Sequence, residues 1–136
     1  MRILSLDHGT RRIGVAVSDE LHIIATPLEY IAAEPMEKVI ARLLQLIREK
    51  EVEFILIGMP RNMDGTYGPA AQKVQDFIAA LQPDITTPVK LWDERLTSVM
   101  ANRALLQGNV RRQDRKQKVD KMAAAILLQS YLDSRA

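Results

Sequence analysis

The 136-residue chain contains no cysteine, which excludes disulfides, thiolate metal sites and a cysteine nucleophile and fits a reducing compartment. Any bound metal would have to be held by oxygen or imidazole. No apolar run approaches the ~18 residues needed to span a membrane. The N-terminus also lacks the charged start, apolar middle and small-residue cleavage site of a secretory signal. A cytoplasmic location, with no membrane partner, is the expectation. A strong net charge is missing too: +2 at neutral pH is too little to argue for a nucleic-acid partner by itself. What the chain does have is 47% hydrophobic residues, ample for one packed core, so residues 1–136 are expected to fold as a single domain.

The charge is unevenly placed. "RRQDRKQKVDK", residues 111–121, carries six Lys or Arg against two Asp. Its plainest reading is a solvated loop and helix start. Residues 2–7 and 12–18 are short aliphatic runs joined by His-Gly-Thr-Arg, the pattern of a hairpin. A third strand is expected over 22–31, with Pro27 marking an edge or irregularity. From Glu34 to Lys50 apolar residues recur at steps of three and four, which predicts an amphipathic helix. "FILIG" at 54–58 reads as a central strand buried on both faces. A turn-rich loop, "MPRNMDGTYG", then leads to a helix over 69–81 with Pro69 in its first turn. "VKLW" at 89–92 predicts another strand, Ser98 a helix N-cap for a helix through Leu106, and Lys118 to Leu132 a final helix. Three antiparallel strands followed by alternating helices and strands imply an α/β fold, a mixed sheet with helices on both faces.

In such sheets functional groups gather at the carboxyl ends of the parallel strands. Among seventeen acidic residues, that rule selects Asp7 after the first strand, Asp93 or Glu94 after "VKLW", and Asp120 in the first turn of the last predicted helix. Carboxylates crowded together repel and raise one another's pKa. A divalent cation relieves this, and oxygen-only sites favour Mg²⁺ or Mn²⁺. A pair of such ions about 3.5–4 Å apart can activate water and stabilise the leaving oxygen in phosphodiester hydrolysis. The plainer alternatives are a turn-stabilising Asp7, a surface Glu94–Arg95 pair, and an Asp120 that serves the helix dipole. His8 and His22 read as ordinary turn and strand residues, and Trp92 as core.

Four blocks, "DHGTRRIGVAVSD" at 7–19, "GMPRNMDGTYGPAAQKVQDF" at 58–77, "DERLTSVMA" at 93–101 and "VDKMAAAILLQSYLD" at 119–133, resemble the YqgF proteins. These are small RuvC-like members of the ribonuclease H-like superfamily, associated with Holliday junction resolution and with maturation of precursor small-subunit ribosomal RNA. The resemblance implies a ribonuclease H-like fold with a five-stranded mixed sheet. It also implies metal-binding, catalytic carboxylates at Asp7, Glu94 and Asp120, choosing Glu94 over Asp93. Gly58-Met59-Pro60 departs from a more usual Gly-Leu-Pro, away from those positions.

The expected function is therefore a Mg²⁺- or Mn²⁺-dependent nuclease acting on structured nucleic acid, with maturation of the 5′ end of precursor 16S ribosomal RNA preferred, in ribosomal precursor particles. Arg11, Arg12, Arg111, Arg112, Arg115, Lys116, Lys118 and Lys121 would hold phosphates, and "MDGTYG" would border the site. Holliday junction resolution and a non-catalytic ribosome-assembly factor are the alternatives. "DHGT" also resembles the phosphate loop of actin-like ATPases and sugar kinases, but those close two domains on a nucleotide. Junction cutting calls for a homodimer, whereas trimming an RNA end needs only a monomer.

Overall fold

The computed structural model describes residues 1–9, 11–60, 68–93 and 112–135, with 112–121 described by backbone alone. Within them lie β1 (Arg2–His8), β2 (Arg12–Ser18), β3 (Ala25–Ala32), α1 (Met36–Lys50), β4 (Val52–Met59), α2 (Pro69–Leu81), β5 (Val89–Asp93) and α3 (Arg112–Ser134). The expected helix over 98–106 falls outside the described residues. The strands form one sheet in the order β3-β2-β1-β4-β5. β1 pairs antiparallel with β2 and parallel with β4, β2 antiparallel with β3, and β4 parallel with β5. This is the expected mixed sheet, its first three strands an antiparallel meander.

β1 lies at the centre and is apolar on both faces, so its alternate residues enter two separate cores. Leu4 and Leu6 pack with Ile55 and Ile57 of β4, Val39, Leu43 and Leu46 of α1, and Val74, Phe77 and Leu81 of α2. Ile3 packs on the other side with Phe54 and Leu56, and with Ala124, Leu127, Leu128 and Tyr131 of α3. Each fully buried Leu or Ile among these contributes about 1.5–3 kcal/mol.

Three boundaries differ from expectation, each for a local reason. β3 starts at Ala25, not at residue 22. His22 takes a left-handed φ of 58°, and the Asp19 carboxylate accepts hydrogen bonds from Ile23 and Ile24 N–H (2.7 and 2.9 Å), so 19–24 is a turn. α1 starts at Met36, with Pro35 in an extended N-cap conformation. Glu34, preceding a proline, is sterically kept out of the helical region. α3 begins at Arg112, six residues before the expected Lys118. Residues 112–118 have no apolar period, but Arg, Gln and Lys are good helix formers. Pro27 does mark an irregularity: the β2–β3 register shifts between Val15 and Ala16, where Ala16 meets Pro27.

The β1–β2 hairpin closes tightly, with Gly9 N–H donating to the Arg12 carbonyl at 2.9 Å. A Cβ on residue 9 would sit 2.6 Å from that oxygen. Since the obstacle is backbone, Gly9→Ala should destabilise the protein by more than about 1 kcal/mol, read as a lowered urea midpoint with unchanged slope.

Candidate active site at the carboxyl edge of the sheet

β1, β4 and β5 run parallel, so their carboxyl ends open on one edge of the sheet. The register pairs Leu6 with Ile57, and Met59 with Asp93. Asp7 therefore emerges beside the end of β4, two strands from the exposed Asp93. On the antiparallel side Asp7 pairs with Gly14. Period-two alternation gives Asp7 the same face as Ile3 and Ser5, the face that α3 covers. Gly14, on that face too, sets no side chain against it.

α3 is fixed to this face by a buried hydrogen bond: Ser5 Oγ donates to the Ala124 carbonyl at 2.9 Å. Toward the start of β1, Ile3 lies with Tyr131 and Leu132. The helix thus runs antiparallel to β1, residues 131 to 124 moving from the level of Ile3 to that of Ser5. Asp120 is a further turn along, about 6 Å before Ala124, while Asp7 is two residues, about 7 Å, beyond Ser5. The backbone path accordingly carries position 120 toward the edge where Asp7 emerges.

Asp7 is half-buried. Among the described residues no three His, Asp or Glu side chains gather into a metal-binding group. Glu94 lies outside the described residues, as do Arg111, the loop residues 61–67 and the side chains of Arg112, Arg115, Lys116, Lys118, Asp120 and Lys121, all of which fall at positions singled out from the sequence. Of the remaining expected phosphate contacts, Arg11 is exposed in the hairpin turn, where its carbonyl accepts from Ala33 N–H at 2.9 Å. Arg12 lies over the Tyr30 ring, 5.6 Å from its centroid. Both stand at the same edge as Asp7. Asp7 at the strand end offers carboxylate oxygens and the chain holds no thiolate, a donor chemistry that would suit Mg²⁺ or Mn²⁺ over softer metals.

His8 points to the opposite face. Its ring sits 4.6 Å, centroid to centroid, from Phe77 of α2. Burial lowers its pKa below 6.5, outweighing the attraction of Asp7, while Lys73 lowers it further. A turn histidine on sequence grounds is thus a half-buried one packed on a helix. Ser5 and Gln129 were not distinguishable from the sequence either. Gln129 Oε1 accepts from Ala25 N–H (2.9 Å) and its amide donates to the Ile23 carbonyl (2.9 Å), a second tie between α3 and the sheet. Trp92, expected in the core, is half-buried and meets the Tyr131 ring edge to face at 5.2 Å.

The sequence pattern of the family described as "RuvX: Holliday junction resolvase" matches residues 1–134. A protein of Halothermothrix orenii provisionally named pre-16S rRNA nuclease is 50% identical over 133 residues, covering 98% of this chain and 95% of the relative. One of Desulforamulus reducens with the same provisional name is 51% identical over 136 residues, covering 100% and 99%. Among solved structures, T. thermophilus RuvC in complex with Holliday junction substrate superposes with a TM-score of 0.62 at 18% identity, covering 99% of this chain and 95% of that one. The fowlpox virus resolvase bound to Holliday junction DNA gives 0.56 at 14% identity, covering 99% of each. At those identities the structural likeness establishes the ribonuclease H-like fold.

Two measurements check this geometry. A base whose folded pKa lies below its unfolded value binds fewer protons when folded, so His8 should leave stability at its full value above pH 6.5 and erode it as pH falls below. The unfolding free energy followed against pH should show that decline, and His8→Asn should flatten it. Ser5→Ala, which removes one buried hydrogen bond, should cost about 1 kcal/mol, and Ser5→Leu, which must push α3 outward, about 1–3 kcal/mol.

Proposed function

We propose, because this chain belongs to the RuvX family, that it is a divalent-metal-dependent nuclease whose preferred substrate is precursor 16S ribosomal RNA. The observation that carries the reading is Asp7. A half-buried carboxylate ends the central strand at the edge where parallel strands open, within a chain about half identical, end to end, to relatives provisionally named for that activity.

Asp7, Glu94 and Asp120 are the residues that would hold Mg²⁺ or Mn²⁺. Bound there, the ion would supply Lewis acidity and neutralise charge building on the phosphate under attack. Asp7 presents its oxygens from a rigid strand, so they need no reorganisation when substrate arrives. Arg11 and Arg12 hold phosphates on the hairpin side. The basic first half of α3, with Arg112, Arg115, Lys116, Lys118 and Lys121, together with Arg111 just before it, holds them on the other. His8, its ring packed on Phe77 on the far face, takes no part in proton transfer at the phosphate. Ribosomal precursor particles are the setting in which such a substrate occurs.

The test uses precursor 16S RNA and a four-way DNA junction, each with Mg²⁺, Mn²⁺ or chelator. Cleavage of the RNA should require metal and should fall roughly 10²-fold or more in Asp7→Asn, Glu94→Gln and Asp120→Asn. Arg11→Ala and Arg12→Ala should weaken binding and reduce its salt dependence. Cleavage that survives chelation or Asp7→Asn would overturn the mechanism. Junction cleavage by a dimer, with RNA left intact, would replace the substrate by DNA, and salt-sensitive binding with no cleavage would leave an assembly factor.

A further inference from the structure

The face of the sheet that carries Asp7 has a concave feature at its other end. A cleft of about 670 Å³ lies by the last turns of α3, lined by Ile3, Phe54, Lys90, Tyr131, Arg135 and the loop Leu21–Ile23. Ile3 and Asp7 are four residues apart on β1, so cleft and carboxylate are separated by about 13 Å along the strand. Nothing in the proposed nuclease chemistry uses this end of the molecule.

Two properties of the cleft select its ligand. Its rim is aliphatic: Leu21 is 77% exposed and Ile23 58%. These side chains are held out by their backbone, because the Asp19 carboxylate accepts from Ile23 and Ile24 N–H and the Gln129 amide donates to the Ile23 carbonyl. An apolar surface fixed in this way loses little entropy on binding. Its wall is cationic: Lys90 Nζ stands 4.3 Å from the Phe54 centroid and 3.5 Å from the Tyr131 hydroxyl, and the Arg135 guanidinium lies 5.5 Å from the Tyr131 centroid. Among the described residues neither cation has a carboxylate partner. Glu53, which also lines the cleft, stands 3.4 Å from His22 Nε2 and pairs with neither cation among the described residues.

We propose that this cleft docks an acidic peptide segment of a partner protein, with an aliphatic or aromatic side chain seated against Leu21 and Ile23 and its carboxylates facing Lys90 and Arg135. Nucleic acid fits less well. Its interfaces are polar and strongly charged, and base stacking needs free ring faces. Here Lys90 covers Phe54, while Tyr131 is met by Arg135 and by the ring of Trp92.

The test pans random dodecapeptides displayed on phage against the full-length protein. The enriched peptide, and separately a single-stranded oligonucleotide, are then titrated while the amide resonances of Leu21, Ile23 and Lys90 are followed. Enriched peptides should join Asp or Glu to Leu, Ile, Phe or Trp and should shift those amides. Lys90→Glu and Arg135→Glu should each weaken binding about tenfold or more, with the protein still folded and RNA cleavage unchanged, since both residues are exposed and remote from Asp7. Four results would overturn the proposal: no enrichment, peptide shifts mapping elsewhere, affinity indifferent to the charge reversals, or larger shifts of these amides with the oligonucleotide. Self-association that buries these amides would assign the cleft to a second copy instead.

Discussion

The sidedness of β1 governs both ends of this molecule. A strand buried on both faces deals alternate residues to opposite cores, so a single register decides which layer each side chain serves. Leu4 and Leu6 hold α1 and α2, while Ile3 and Ser5 hold α3. Asp7 is the next position on the α3 side, and His8 the next on the other. A one-residue slip against β4 would exchange them, sending a carboxylate among Phe77 and its neighbours and an imidazole toward α3. The pairing of Leu4 with Ile55 and Leu6 with Ile57 resists that slip because it would send Ser5 and Asp7 into the apolar layer under α1 and α2.

Much of this was legible in the chain. Strand and helix order followed from apolar period, and the gathering of parallel strand ends singled out Asp7, Asp93 or Glu94, and Asp120, of which Asp7 and Asp93 end strands at that edge. What stayed hidden depends on tertiary contact. Nothing local marks Ser5 as the residue that bonds α3, or Gln129 as the one that ties it to Ala25 and Ile23. His22 lies in an apolar run that reads as strand, yet the Asp19 side chain competes for the backbone N–H groups and a turn wins. The early start of α3 was missed because its first residues are helical by propensity without an apolar stripe. Strand reasoning alone left Asp93 and Glu94 open, since a helix or strand end is the least determined part of any element; the family resemblance made that choice.

A nuclease reading also accounts for an arrangement that would otherwise be wasteful. On that reading, cationic residues along the start of α3 and at the β1–β2 turn would raise the positive potential around the carboxylate edge although the net charge is only +2. The acidic groups that offset it include Glu29, bonded to Arg42, and Glu53 beside His22, both on other parts of the surface. Local field, not total charge, then steers a polyanion. The modest overall balance limits adhesion elsewhere on the molecule.

The side chains that α3 buries at its middle are small: Ala123, Ala124 and Ala125 are all largely enclosed. With methyl groups as spacers the helix rides close to the sheet, and its height there has no compressible padding. The two cores consequently differ in their engineering tolerance. The layer beneath α1 and α2 is built of longer aliphatic side chains, which can readjust their rotamers to a volume-conserving exchange. A single added methylene under the alanines lifts the lever on which position 120 is carried, so attempts to harden the protein from that side would trade away alignment at the edge of the sheet.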